Sequence, residues 1–505
     1  MGVNGSSANG QNRAGAAPRR PQPHPGGQAS GTEGQIAHVW IVALILILTP
    51  MAVAWYHRLQ VDDPYITYRY ARNLAEGNGW FYNSGQQILG TTSPLYTLLL
   101  AAGASLTNNL PFLSSVFSGI ALGILALLVY ALLARSGNDL AGGSAALLII
   151  LNPLMADVLG FELNVYLALG FGGLLAYQSG NAKWAALLLG LATLARGDAF
   201  ILAALVLSHH LWKSERGSWL PLFIYGGIIA AWAGYAIGVF GSPLPNTLAA
   251  KRALYESGYW RPYWKGAARV AWMYVKRSPL FLWFAVCALF GLARMLEARR
   301  HAALWMALAW PLLVAAAYIA MGVPEAANYY AAFAPALCIL AGLGIEQLVS
   351  VIQKEWPAAS GRQAWVRAAL LFPLAAASLT PALESAVSGP DPRYTAYRHA
   401  GEWLSVGTDP DADVAMLEIG IVGYYSRRTI VDMCGLVTPD VADHVAAGDL
   451  TWSVRSTLPD FVLLHQPPWT PETPLAEAGW FRSTYTPVKQ FPASEPYGMT
   501  LFKRN

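Results

Sequence analysis

The run Val61-Asp62-Asp63-Pro64-Tyr65-Ile66-Thr67-Tyr68-Arg69-Tyr70-Ala71-Arg72-Asn73-Leu74-Ala75-Glu76-Gly77 sets two neighbouring acids at the mouth of a short helix. Asp63 suits an N-cap, Pro64 the first helical position and Gly77 the stop, since proline lacks an N–H where none is needed and glycine tolerates the left-handed exit. Helical spacing puts Tyr65, Tyr68, Arg69 and Arg72 along one stripe. What comes before this run decides its setting. From about Ile36 to Tyr56 the chain is almost wholly apolar, long enough to span a bilayer. The helix is therefore expected to lie at the membrane interface, just past a first crossing.

Composition supports a membrane setting for the whole chain. Of 505 residues, 55% are hydrophobic and 12% charged, and the mean hydropathy is +0.37. A soluble protein of this length would need more polar surface. The net charge of +4 is small and scattered, which excludes nucleic acid as a partner. Cys287, Cys338 and Cys434 lie too far apart for a zinc motif or a disulfide framework.

Residues 1–35 are rich in Gly, Pro, Ser and Ala and are expected to be a disordered cytoplasmic N-terminus. Apolar runs near 112–134, 141–156, 162–178, 182–195, 198–212, 219–240, 278–296, 302–320, 329–350 and 365–384 bring the expected crossings to about eleven. Several are short, so broken helices are expected, and Pro94 to Leu106 reads as a surface or re-entrant helix. The expected fold class is a polytopic all-α transmembrane domain over 36–387, with a first external loop at 57–111. A small soluble α/β domain over 388–505 follows it, expected outside the cell membrane. Its short β-like runs are Val414–Leu417, Thr429–Met433, Phe461–Leu464 and Met499–Phe502. Basic clusters fall on the cytoplasmic side by this count, except the loop 241–277, whose lysines and arginines suit anionic lipid.

Ionisable groups at membrane depth are costly and mark function. Asp62 reads as a general base for an acceptor hydroxyl, with Asp63 orienting it, helping to hold a cation, or simply capping the helix. Glu162, near Asp157, opens the next helix, where an acid also suits the helix dipole. Arg196-Gly197-Asp198 interrupts two short helices and also reads as a local ion pair. Ser242-Pro243-Leu244-Pro245-Asn246-Thr247 is a rigid turn leading to Lys251 and Arg252. Acids and bases converging on one outer cavity suit a reaction with a phosphate leaving group. Arg69, Arg72, Arg196 and Lys251 are the candidate phosphate partners. Glu162, Asp198, Asn246 and Tyr329 are candidates for sugar, acceptor or cation. No cofactor is required, though Asp62, Asp63 and Glu162 could hold a divalent cation.

The first-loop run, continued by Phe81-Tyr82-Asn83-Ser84-Gly85-Gln86 and Gly90-Thr91-Thr92-Ser93-Pro94-Leu95-Tyr96, resembles the "DDAYITYRYARNLAEG" motif of GT-C glycosyltransferases. Within that superfamily it is most similar to the group around the mycobacterial arabinofuranosyltransferase AftB. Gly160-Phe161-Glu162 resembles that group's "GME" turn, and Pro245-Asn246-Thr247 with Lys251 its "PNT…AK" loop. Tyr329-Tyr330 with Pro335 resembles the late "YYAP" helix, and Glu418-Ile419-Gly420 and Gly423-Tyr424-Tyr425-Ser426 are similar too. The resemblance implies a polyprenyl-phosphate-sugar donor, a glycan, lipid or protein acceptor, and inverting transfer on the outer face of the inner membrane, with Asp62 as the catalytic acid residue. A transporter or flippase of lipid-linked sugars is the alternative; it would be expected to show a repeat between two halves, which the sequence does not.

Overall fold

The computed structural model describes residues 38–39, 41–49, 51, 61–213, 218–298, 302–388, 392–438 and 440–505. The chain divides at Ala43 into a short N-terminal unit and a second unit, Leu44–Asn505. Of the expected first crossing only 38–39, 41–49 and 51 are described, all helical, and the expected disordered segment 1–35 lies outside the described residues.

Six described helices are long and apolar enough to cross a membrane: Leu110–Ala134, Leu220–Phe240, Pro279–Glu297, Ala302–Ala320, Ala327–Glu355 and Gln363–Pro381. Apolar helices of this kind mark a multi-pass membrane protein, and among the described residues six rather than the expected eleven or so reach full spanning length. The remaining runs fold as Asp139–Leu151, Leu163–Gln178, Ala182–Ala195 and Phe200–Lys213, helices of 13 to 16 residues. Pro153 and the Arg196-Gly197-Asp198 break end two of them early. Each falls short of the roughly 20 residues a perpendicular span needs. Pro94–Gly103 is also a short helix, ten residues long.

Close helix packing comes from glycine. A Cβ on Gly344 would meet the Cys287 carbonyl oxygen at 1.8 Å, and one on Gly291 the Leu340 carbonyl oxygen at 1.9 Å. The two helices carrying these residues thus cross backbone to backbone, as small residues allow in a bilayer. Leu220–Phe240, by contrast, has only Pro221 and Ala236 buried, and its Phe223 and Ile237 are exposed, as the outer side of a lipid-facing helix must be.

Four helices matter for the site: α1 (Pro64–Ala75), α2 (Thr247–Glu256), α3 (Pro392–Gly407) and α4 (Gly420–Ser426). The C-terminal segment builds a five-stranded sheet from β1 (Asp413–Met416), β2 (Thr429–Asp432), β3 (Phe461–Gln466), β4 (Tyr485–Phe491) and β5 (Gly498–Arg504), in the order β2-β1-β3-β5-β4. β1 lies parallel to β2 and β3, and β5 runs antiparallel to β3 and β4.

Both faces of this sheet are buried, which explains why its inner strands read as unbroken apolar runs rather than alternating ones. Val414, Ile430, Leu463 and Leu501 pack with Tyr65, Tyr68 and Tyr70 of α1 and Tyr397 of α3 in one core. Their neighbours Ala415, Val431, Val462 and Leu464 face the other way, against Ala253 and Leu254 of α2. The period-two geometry of a strand thus welds the C-terminal sheet to the first loop on one side and to the basic loop on the other.

Candidate functional site

The first loop, α2 and the C-terminal sheet meet around a cavity of about 620 Å³, lined by Asp62, Asp63, Lys251, Tyr329, Glu418 and Trp469 among others. Its two adjacent acids have unlike surroundings. Asp62 is buried, and its carboxylate accepts the backbone N–H of Gly420 at 2.7 Å and of Ile421 at 2.6 Å. Burial pushes its pKa up to about 6. The two amide bonds pull against that rise, and the neighbouring Asp63 charge adds to it. Asp63 occupies the N-cap position of α1 in helical backbone geometry, yet its side chain makes no capping hydrogen bond and is exposed to the cavity. The capping explanation for Asp63 therefore fails, and its carboxylate faces the cavity.

Lys251 is carried to the wall by α2, whose apolar side packs on the sheet. Its ammonium is hydrogen-bonded with the Tyr329 hydroxyl and lies 4.6 Å from that ring's centroid. Behind Tyr329 is a buried ion cluster. Arg196 Nη1 donates to Glu162 Oε1 at 2.8 Å, Nε to Asp198 Oδ2 at 2.8 Å, and Nη2 to the Tyr318 hydroxyl at 2.9 Å. The Tyr318 hydroxyl in turn donates to Asp198. The turn before Glu162 is anchored to the first loop by Tyr68 and to the helix Leu110–Ala134 by Ser114, both of which donate to the Gly160 carbonyl.

Glu162, Arg196, Asp198 and Tyr329 are thus brought together, one ring behind Lys251. The arginine is neutralised by two acids, so it supports Tyr329 and has little charge left to offer the cavity. The expected cation set of Asp62, Asp63 and Glu162 does not assemble, because Glu162 is committed to Arg196. Among the described residues, no group of three or more His, Cys, Asp or Glu side chains is arranged to hold a metal ion.

Three other candidates are placed elsewhere. Arg69 is buried and donates to the carbonyl oxygens of Tyr82, Gly423 and Arg428 and to Asn83 Oδ1. Its positive charge is spent holding the first loop to the C-terminal segment. Arg72 does similar work, donating to the Tyr424 carbonyl at 2.7 Å with its guanidinium over that ring. Asn246 donates to the carbonyl oxygens of Gly435 and Leu436 and lines a separate groove of about 580 Å³ together with Arg252.

The cavity also holds residues to which the sequence pattern assigned no role. Glu418 lines it from the C-terminal segment, and Trp469 and Trp260 supply aromatic wall. The Glu418-Ile419-Gly420 run stood out only by resemblance. Nothing local marks Trp469 as facing a site that begins some four hundred residues earlier.

The fold is similar to two kinds of solved structure. One is the archaeal oligosaccharyltransferase AglB from Archaeoglobus fulgidus, in complex with an inhibitory peptide and a dolichol-phosphate. Its TM-score is 0.57 at 12% identity, over 90% of this chain and 74% of that one. The other is ArnT from Cupriavidus metallidurans bound to undecaprenyl phosphate, with a TM-score of 0.55 at 14% identity, over 92% of this chain and 97% of that one. The apo form of ArnT aligns equally well, at a TM-score of 0.56. The chain therefore shares the fold of these solved structures. Residues 388–502 match a family described as "Domain of unknown function (DUF8728)". No curated protein matches the chain by sequence.

Proposed function

We propose that this protein is a GT-C glycosyltransferase that moves a sugar from a polyprenyl-phosphate carrier onto a hydroxyl acceptor, with inversion, on the extracytoplasmic face of the inner membrane. The observation that carries the proposal is the pairing, in one cavity, of an uncapped carboxylate, Asp63, and a cation, Lys251. The similarity to folds solved with dolichol-phosphate and undecaprenyl phosphate supports it.

The chemistry needs little else. The acceptor oxygen forms a bond to the anomeric carbon as the bond from that carbon to the phosphate oxygen breaks. The phosphate leaves with the electron pair, and the hydroxyl proton passes to a carboxylate. Lys251 stabilises the charge that grows on the phosphate, and Tyr329 holds its ammonium in position. We assign the base to Asp63. Asp62 is the neighbouring alternative, but each of its oxygens already accepts an amide N–H, so it is better suited to fixing the loop. The sugar and the acceptor follow from the first-loop motif only as far as the arabinofuranosyltransferase-like group it resembles.

The test is transfer by the purified chain in nanodiscs, supplied with a panel of polyprenyl-phospho-pentoses and polyprenyl-phospho-hexoses. Release of polyprenyl phosphate by the wild type, lost in Asp63→Asn, supports the proposal. A panel in which no donor is turned over or bound would overturn it.

A further inference from the structure

The far end of α1 opens on a second cavity. Asp63 and Ile66 line the transfer cavity. Arg72 and Glu76, the former roughly 14 Å further along the helix than Asp63, line a separate cavity of about 560 Å³ together with Tyr424, Arg427, Asn108 and Leu110. The two cavities have no lining residue in common.

Two guanidinium groups meet in this second cavity against one carboxylate. Arg72 donates from Nη1 to the Tyr424 carbonyl, while its Nε is buried without a partner and its Nη2 has none among the described residues. Nε and Nη2 form one side of the planar fork, of the kind that matches two oxygens of a phosphate. Arg427 donates from Nη2 to Glu76 Oε1 at 3.0 Å, and Glu76 is the one acid among the lining residues. Burial, and next the charge of Arg427, push the Arg72 pKa down to about 10, so the two cations feel each other. A positive charge is left without a partner.

The backbone at Arg427 is unusual. It follows α4 in the left-handed region, at φ 56° and ψ 16°, a helix-ending position that glycine ordinarily fills. Among the described residues, Leu458 is the only other non-glycine residue with positive φ. The ion pair with Glu76 is exposed and contributes little, so it does not explain why an arginine is kept there. Such an outlier points to work for the side chain.

The cavity's depth says what it meets. Leu110 opens the apolar helix Leu110–Ala134, long enough to span a bilayer, and Leu106 and Phe112 on either side of it are exposed. Apolar side chains exposed where a spanning helix begins are at home in lipid, which sets the cavity at the level of the headgroups.

We propose that this cavity is a second anion site, separate from the transfer cavity, that takes a phosphate group, and that the phosphate is the headgroup of an anionic phospholipid. Arg72 and Arg427 face its oxygens, and the Asn108 amide stands at the mouth. Because Arg72 belongs to α1 and Arg427 follows α4, the bound phosphate bridges the first loop and the C-terminal segment.

The test uses the full chain, stripped of lipid in an uncharged detergent and titrated with short-chain phosphatidylglycerol while native mass spectrometry counts the lipid bound. Arg427→Gly is expected to bind about tenfold more weakly than wild type, and Lys251→Ala as tightly as wild type. Without lipid, the unfolding midpoint of Arg427→Gly should equal or exceed that of wild type, because glycine relieves the left-handed backbone. Equal affinity in wild type and Arg427→Gly overturns the site. A lower lipid-free midpoint in Arg427→Gly shows that Arg427 holds the fold and overturns its assignment to a ligand. Inorganic phosphate at matched ionic strength separates the two sources of the anion. If it binds in an Arg427-dependent way and phosphatidylglycerol does not, the lipid source is overturned and the anion site stands. If neither binds, the whole inference falls, and the transferase reading is untouched.

Discussion

Asp62 and Gly420 meet at a distance only glycine permits. The carboxylate of Asp62 accepts the Gly420 N–H at 2.7 Å, and a Cβ added to Gly420 would stand 1.9 Å from the Asp62 backbone oxygen. Gly420 precedes no left-handed turn, so its requirement is close approach rather than backbone freedom. Gly420→Ala is expected to cost about 1–3 kcal/mol through overpacking, seen as a lower midpoint in thermal unfolding in detergent. Gly479→Ala has open space around it and should stay within about 0.5 kcal/mol. Equal midpoints for the two variants would refute the contact.

The same contact separates the two first-loop acids. Asp62→Asn puts an NH₂ group against an amide N–H that needs an acceptor, leaving a buried donor unpaired at a cost of about 1–3 kcal/mol. Asp63→Asn removes a charge from an exposed side chain with no capping bond and should leave the unfolding midpoint unchanged. Transfer assays should show the reverse emphasis. Asp63→Asn loses turnover at full stability, and Asp62→Asn loses both together. Full turnover in Asp63→Asn would return the base to Asp62.

Much of the fold is legible in the sequence, and the reason is water. The helices Ala182–Ala195 and Ala302–Ala320 fall where their apolar runs begin and end, because a bilayer or a buried bundle rejects charge along a whole helix. Strands β1, β2, β3 and β5 are legible for the same reason, being covered on both faces. Strand β4 is not. Between its buried ends, Tyr485 and Phe491, its residues are exposed, and Pro487 sits at a bulge, so it carries the pattern of an edge strand with little apolar signal. The site is legible only in part. Asp63 and Lys251 stand out as charges near apolar runs. The partners that decide what Asp62 and Arg69 do, Gly420 and Gly423, lie more than 350 residues away, and no local pattern encodes such a contact.

Glu418 also predicts how stability depends on pH. Its pKa is raised from an ordinary 4.5 to about 8, so the folded protein holds a proton that the unfolded chain releases between those values. The stabilising contribution of that proton is complete below about pH 4.5 and is lost as pH rises through about 8. Asp62 and Asp432, each raised by burial to about 6, act in the same direction over a lower window, from about pH 4 to about 6. Glu418→Gln cannot titrate. The gap in unfolding midpoint between wild type and this variant should therefore move against the wild type between pH 6 and pH 8 and stay flat below pH 4.5. A gap independent of pH would mean that Glu418 is already ionised at neutral pH.

Arg69 and Lys251 offer the sharpest contrast between a cation used for folding and one left for a ligand. Arg69→Ala strips hydrogen bonds from three carbonyl oxygens, two of them in the C-terminal segment, where water cannot easily replace them. The expected cost is about 3 kcal/mol or more, with faster proteolysis of the segment beyond residue 388. Lys251→Ala removes a half-buried ammonium that is hydrogen-bonded with the Tyr329 hydroxyl and lies over that ring. Its unfolding midpoint and proteolysis should match the wild type, while undecaprenyl phosphate affinity drops about tenfold, the loss expected for one charge-assisted contact. If Arg69→Ala loses the lipid phosphate while keeping its fold, the phosphate site lies under the first loop and not in the cavity beside Asp63.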